Sequence, residues 1–360
     1  MTCAALVALS VVPSLPSSGA ARGSDPRLPS VGVQFHGTWA YDSKAERVEV
    51  LEKLRAAGVR WVRIDLSWER LQRGGRNERH RRYLARADQS INLAHRKGFK
   101  VMVTYWGTPG WANGGKEPSS PPRRMRTFRD AARWVADRYR GKVQAWEIWN
   151  EPNHPEFWKG TMRQYVRVLR AGYRGVKEGA PGTTVTSGGT SFNDYEWLQR
   201  FYAKDPQRWF DVLVTNPYMS PADLEPETPD NGTIWTIAAV RKVRRLMVDN
   251  GDRDKRIWFG EFGWSSHPND GTEENWQKGV TLEEQADYLV RALRYIGCNF
   301  PYVRRAVWYA EKNRPDPGSA DKGEQQRANY GLLTYELEPK PAYDALANVL
   351  AGPRRLDCSD

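Results

Sequence analysis

The stretch VQAWEIWNEPN, residues 143–153, followed by MRQYVRVLRAGYRGVKEG, residues 162–179, decides how this 360-residue chain is read. A β-rich apolar segment runs into Pro152, which fixes its own φ and removes a backbone donor, so strand character must stop there. An amphipathic helical pattern follows and ends at Gly179, before the next β-rich segment, TTVTSGGTS (183–191). The same unit recurs in both directions. Upstream lie VGVQFHGTW (31–39), GVRWVRIDLSW (58–68) and KVMVTYWGTP (100–109); downstream lie DVLVTNPY (211–218), RIWFGEFGW (256–264) and RRAVWYAEKN (304–313). Helical patterns trail them, with apolar residues three or four apart, as in Val48, Leu51 and Leu54 or Leu289, Leu293 and Ile296.

Eight rounds of this rhythm predict an α/β chain with one (β/α)8 TIM barrel as its single domain. A doubly wound open sheet is the alternative, but no Gly-rich phosphate fingerprint follows the first strand. Gly58, Gly98, Gly141, Gly179, Gly251 and Gly297 stand where left-handed helix C-caps are expected. The long insertions WGTPGWANGGKEPSSPPRR, SSHPNDGTEENWQKGV and KNRPDPGSADKGEQQRANY all leave strand C-terminal ends, the face on which barrels build their sites.

Composition sets the outer limits. Hydrophobic residues at 39% and charged ones at 27% suit one sizeable core and exclude a disordered chain. The 16 tryptophans are unusual, because each offers a flat apolar face and one donor, suited to a sugar ring or to the core. The net charge of +12 comes from arginines spread along helical stretches such as RHRRYLAR and RKVRRL, which read as solvated faces. An anionic glycan is compatible with that charge; nucleic acid is not expected, for want of a recognisable motif.

Residues 1–30, beginning MTCAALVALSVVPSLPSSGAARGSDP, read as a signal peptide and short linker, 31–352 as the barrel and 353–360 as a tail. The expected product is a secreted monomer with no membrane span. Removing the leader removes Cys3 and leaves Cys298 and Cys358. They follow the seventh and eighth helices, whose C-terminal ends are neighbours on the bottom of a barrel, so a disulfide is expected there.

Two carboxylates then fall at one height: Glu151 at the end of the fourth strand and Glu261 at the end of the seventh. A glycosidic bond is cleaved by such a pair, one protonating the leaving oxygen and the other attacking the anomeric carbon or activating water. Together WEIWNEPN and FGEFGW resemble the acid/base and nucleophile strands of clan A retaining glycoside hydrolases. Within that clan the chain is most similar to family 39 and its bacterial exopolysaccharide-hydrolase relatives, with family 5 as near neighbour. The similarity runs from Val31 to Leu350 through RIDLSW, NPY, VWYAE and NYGLLTYELEPKPAYDAL.

The resemblance implies Glu151 as general acid/base and Glu261 as nucleophile. It puts Arg63 and Tyr218 beside Glu261, Asn150 on a sugar hydroxyl, and Trp308 under the first sugar. The bland alternatives are a turn amide for Asn150, a rim aromatic for Tyr218, and an ion pair of Arg63 with Asp65 or Glu147. Many clan members carry histidine where this chain has Asn216, which leaves that contact open. Glu147 lies about 13 Å below Glu151 along an extended strand and is expected to be structural. Trp106, Trp111, Trp149, Trp264 and Trp276 are candidates for stacking sugars, and His36 and His154 for hydrogen bonds, each with plain packing as the alternative.

Facing an ionised Glu261, Glu151 should wait protonated and give up its proton affinity once Glu261 is glycosylated. The expected function is that of a secreted retaining β-glycosidase, endo-acting on a polysaccharide. An exo-acting β-xylosidase or uronidase, a transglycosidase and a non-catalytic glycan-binding barrel are the alternatives. No HExxH, G-x-S-x-G or Walker pattern occurs, so no metal or organic cofactor is implied.

Overall fold

The computed structural model describes residues 26–40, 42–315 and 321–359. Residues 1–25, which hold Cys3 and most of the expected signal peptide and linker, lie outside them, whereas Ser30, expected in the linker, begins β1. Eight parallel strands form the sheet: β1 (Ser30–Gln34), β2 (Trp61–Ser67), β3 (Lys100–Trp106), β4 (Val143–Ile148), β5, β6 (Leu213–Asn216), β7 (Ile257–Phe262) and β8 (Val303–Trp308). Strand β5 comes in two pieces, Thr184–Ser187 and Thr190–Ser191, separated by Gly188 and Gly189. Pairing runs β5, β4, β3, β2, β1, β8, β7, β6 and back to β5. The first piece of β5 pairs with β4 and the second with β6. A bridge between Thr186 and Val212, with Ser187 N–H donating to Val212 O at 3.1 Å, closes the cylinder.

The outer helices are α1 (Lys44–Ala56), α2 (Arg81–Arg96), α3 (Met125–Arg138), α4 (Met162–Gly179), α5 (Tyr195–Tyr202), α6 (Val240–Asp249), α7 (Leu282–Asn299) and α8 (Pro341–Ala351). Their starts are encoded locally. Ser43–Glu46, Thr161–Gln164 and Thr281–Glu284 form capping boxes, in which side chains satisfy the first free N–H groups. Tyr165, Val168, Leu169 and Val176 then turn one face of α4 wholly into the core, each worth roughly 1.5–3 kcal/mol of burial.

Four of the six expected cap glycines do adopt positive φ: Gly58, Gly98, Gly141 and Gly251. Gly179 and Gly297 do not. They lie inside α4 and α7 because a side chain would collide there. A Cβ on Gly179 would sit 2.3 Å from Arg133 O of α3, and one on Gly297 2.6 Å from Arg27 O. Among the described residues no helix is long and apolar enough to cross a membrane.

At the bottom of the barrel Arg305 of β8 lies between the indoles of Trp61 and Trp258, its Cζ 3.2 and 3.6 Å from their centroids. Near that end, Cys298 and Cys358 are joined as a disulfide with a Cα–Cα distance of 5.8 Å. The tail it anchors also hydrogen-bonds the N-terminal segment through Leu356 N–H to Pro26 O at 3.0 Å. Opening the 60-residue loop by Cys298→Ser should cost up to about 4 kcal/mol on the loop-entropy scale. Thermal unfolding with and without reductant would measure this, and steady-state rates at 25 °C should stay within twofold, since the bridge lies at the end opposite the loops.

Candidate active site

The mouth of the barrel is organised around Arg63 of β2, only 1% exposed. Its Nε donates to Glu147 Oε2 at 2.8 Å and its Nη2 to Asn150 Oδ1 at 3.0 Å. Its Nη1 donates to both Gln34 Oε1 at 2.8 Å and Glu261 Oε1 at 2.7 Å. Burial works against the charge, but attraction to Glu147 and Glu261 outweighs it, so the pKa of Arg63 is raised and it stays a cation. Arg63 is thus both things the sequence allowed: an internal ion pair with Glu147 and the neighbour of Glu261. Asp65 pairs elsewhere, accepting from Gln34 Nε2 at 2.9 Å.

Glu147 is wholly buried and also accepts from Thr104 Oγ1 at 2.6 Å and Gly189 N–H at 2.9 Å. Three donors leave it an acceptor only, the hydrogen-bonding pattern of a carboxylate. It props the site from below. Gly189 is needed for that approach: a Cβ there would stand 2.6 Å from Asn216 Oδ1 and 3.1 Å from Glu147 Oε1. The break in β5 is therefore where the barrel wall makes room for the site.

The two rim carboxylates differ in their donors. Glu261 takes Arg63 on Oε1 and the Tyr218 hydroxyl on Oε2 at 2.9 Å, so both oxygens are fixed. Glu151, 8% exposed, takes one neutral donor, Asn216 Nδ2 at 2.9 Å. Burial first, and then repulsion from Glu261, push its pKa up to about 8, against the pull of Asn216 and Arg63. Asn216 thus meets Glu151 with an amide, which donates a hydrogen bond but brings no charge.

The backbone that presents Glu151 is unusual. Trp149 and Glu151 both have positive φ, 79° and 39°, flanking Asn150. Such conformations are costly for side chains with a Cβ and persist when neighbours hold them. Trp149 is held by its N–H to Tyr105 O at 3.0 Å, by its indole Nε1 donating to Phe157 O at 2.8 Å, and by the edge of Trp158 at 5.0 Å.

That anchoring corrects three expected sugar platforms. Trp149, Trp264 and Trp308 are fully buried and cannot stack on a ligand. Trp264 donates to Leu224 O at 2.9 Å and Trp308 to Tyr330 O at 3.2 Å. The cleft side is instead lined by phenols: Tyr309, next to Trp308, stands edge-on to Tyr218 at 6.4 Å and Tyr330 at 5.6 Å. Strand alternation is the signal that could have found it, since neighbouring residues face opposite ways.

Trp106 keeps a partly exposed face against Phe157, and Trp276 is 39% exposed but lies out on the loop after β7. Trp111 is tied to Gln72 O at 2.7 Å. His36 is clamped through Nδ1 by Glu311 Oε2 at 2.9 Å, while its buried Nε2 has no partner among the described residues. His154 receives Glu156 N–H at 3.3 Å within its own turn. Among the described residues no group of three or more His, Cys, Asp or Glu is placed to hold a metal ion.

Residues 24–295 match the family described as Cellulase (glycosyl hydrolase family 5). Similar solved structures include a family 39 glycoside hydrolase from the gut symbiont Bacteroides cellulosilyticus WH2, at 21% identity and TM-score 0.69, with 91% of this chain and 64% of that chain covered. A GH5_18 protein from Streptomyces cattleya in complex with GlcNAc follows at 18% identity and TM-score 0.67, covering 91% and 80%. A monomeric β-xylosidase from Caulobacter crescentus CB15 stands at 19% and 0.66, covering 94% and 72%. At these identities the structures share the barrel with this chain, and this chain spans less than two thirds of the first. No curated protein matches it.

Replacing Arg63 by methionine strands Glu147 in the barrel without its cation and should cost about 3–5 kcal/mol in urea unfolding. Adding Glu147→Gln should restore part of that loss, because the stranded carboxylate is then gone. A double variant no more stable than Arg63→Met would show that the pair is not the source of the cost.

Proposed function

The chain belongs to glycosyl hydrolase family 5, and from that premise we propose that it is a secreted retaining β-glycosidase acting within a polysaccharide through a glycosyl-Glu261 intermediate. One observation carries the roles: Glu261 is held at both oxygens by a cation and a phenol, while Glu151 has one neutral donor and a raised pKa. In the first step a Glu261 oxygen attacks the anomeric carbon. Glu151 gives its proton to the glycosidic oxygen, the bond to the leaving sugar breaks, and an ester forms.

Esterification removes the negative charge of Glu261, so the repulsion that kept Glu151 protonated ends. Glu151 then takes a proton from water, the water oxygen attacks the same carbon, and the Glu261 carboxylate is released with configuration retained. Asn150, fixed by Arg63, keeps its amide donors for a sugar hydroxyl near the reacting carbon.

Secretion is supported by the N-terminal leader pattern and by a disulfide, which persists in oxidising compartments. The long loops after β3, β7 and β8 support an endo mode. The likeness to a β-xylosidase keeps an exo mode as the second reading. Product lengths from a β-linked polysaccharide panel separate the two: mixed oligomers support endo action, and monomers alone replace it with exo.

Glu151→Gln should lower turnover of substrates with poor leaving groups by about 10²–10⁴-fold. Glu261→Gln should abolish covalent labelling by a slow 2-fluoro glycoside. The basic limb of kcat/KM in the parent should fall near pH 8, where Glu151 loses its proton. The Asn216 amide favours the carboxylate form, so Asn216→Ala should raise that limb and leave the acid limb in place. A basic limb that moves down instead contradicts the assignment of Glu151.

A further inference from the structure

We propose that the outer wall of the barrel carries a second binding site, a groove between α3 and α4 where two rows of arginines converge to hold an acidic polysaccharide. The convergence follows from glycine. A Cβ on Gly175 would stand 2.4 Å from Arg129 O, and one on Gly179 2.3 Å from Arg133 O. The helices therefore meet backbone to backbone. The groove between them, about 290 Å³, is lined by Arg126 and Arg129 of α3 and by Arg167, Arg170 and Arg174 of α4, with Ala171 at its base.

A solvated basic face would ordinarily interleave acids. Like charges three or four residues apart on a helix repel, yet Arg167, Arg170 and Arg174 follow one another at that spacing. Arg129 pairs with Glu178 at 2.6 Å, and Arg126 reaches Asp130 only at 3.9 Å, an acid already engaged by Arg76. No carboxylate among the described residues lies within salt-bridge distance of the three on α4. Instead Trp209 carries the Arg170 and Arg174 guanidinium groups on its ring, with Cζ 4.9 and 5.0 Å from the centroid. An indole that binds two cations fixes them without neutralising them.

The chemistry of the occupant follows. Guanidinium forks match planar or tetrahedral anions with two oxygens presented together, as in uronates and sulfated sugars. The groove is concave, against the flat face a bilayer would need, and no nucleic-acid motif accompanies it. Helices α3 and α4 follow β3 and β4, so both start at the end of the barrel that carries Glu151. A long chain leaving the mouth over the β3 and β4 loops meets this wall next. The choice of a polysaccharide over other polyanions rests on the glycosidase reading; the binding itself does not require turnover.

The test uses affinity electrophoresis of the Glu151→Gln protein in gels containing polygalacturonate, dextran sulfate or neutral dextran. Competing duplex DNA and phosphatidylserine vesicles are added in turn. Retardation by an acidic polysaccharide and not by neutral dextran is expected. It should weaken at least about tenfold in Arg126→Gln/Arg167→Gln/Arg170→Gln, with the gap closing as salt rises. The same charge change placed elsewhere, Arg241→Gln/Arg245→Gln/Arg253→Gln, should leave binding near the parent. Both triple changes in the Glu151 background should hydrolyse a small aryl β-glycoside as the parent does, which separates loss of the groove from misfolding or a wrong active-site assignment. Whichever polymer is retarded more names the anion, carboxylate or sulfate. Equal retention by the two triple variants, no retention of the parent, or stronger competition by DNA or vesicles than by the acidic polysaccharides overturns the proposal.

Discussion

A single buried guanidinium, shared between two carboxylates, is the constraint on which the rest of the mouth depends. Arg63 contacts Glu147 below and Glu261 at the rim, and its remaining donors fix Gln34 and Asn150. A cation removed from water is tolerable only with partners, and here the partners come from β1, β4 and β7. The interaction therefore does two jobs at once: it ties distant strands of the barrel together and sets the orientation of one rim carboxylate. Residues in such a network are coupled, so their individual contributions do not add.

The same charge count explains why two glutamates of one mouth behave differently. One cation faces Glu147 and Glu261, and none is left for Glu151, whose sole donor is an amide. A third carboxylate so placed is most easily accommodated with its proton, the state a general acid requires. A histidine at position 216 could bring a positive charge and release that proton; asparagine cannot. Glu261 is thereby left as a main electrostatic influence on the proton of Glu151, which is what the proposed two-step displacement demands.

Much of the fold was legible because each round of the barrel is locally punctuated: Ser43, Thr161 and Thr281 start helices, and four glycines turn back with positive φ. Pro152 was the weaker mark, since β4 already ends at Ile148, where Trp149 turns to positive φ. Gly179 and Gly297 were misread because a glycine kept for backbone contact looks the same in sequence as one kept for a left-handed turn. The positive φ of Trp149 and Glu151 left no trace either, since neither residue type favours it and only the surrounding packing enforces it. Carboxylate positions were readable from strand ends, whereas Gly189, Thr104 and Gln34 enter the site from strands whose register only closure of the barrel fixes.

The tryptophans show where composition misleads. An indole suits a sugar face, but it is also the largest rigid filler a core can use, and Trp149, Trp264 and Trp308 serve in the second way. Locked rings behind the rim hold strained backbone in place, and beside Glu261 the partly exposed rings are the phenols of Tyr218 and Tyr309, with the buried Tyr330 edge-on to both. Burial raises the pKa of all three, chiefly through loss of solvation, so they remain neutral donors over the working pH range. Neutral donors add hydrogen bonds beside Glu261 without adding charge. Any cationic ring or lysine in their place would draw on the same two carboxylates as Arg63 and undo the difference between Glu261 and Glu151 on which the proposed chemistry rests.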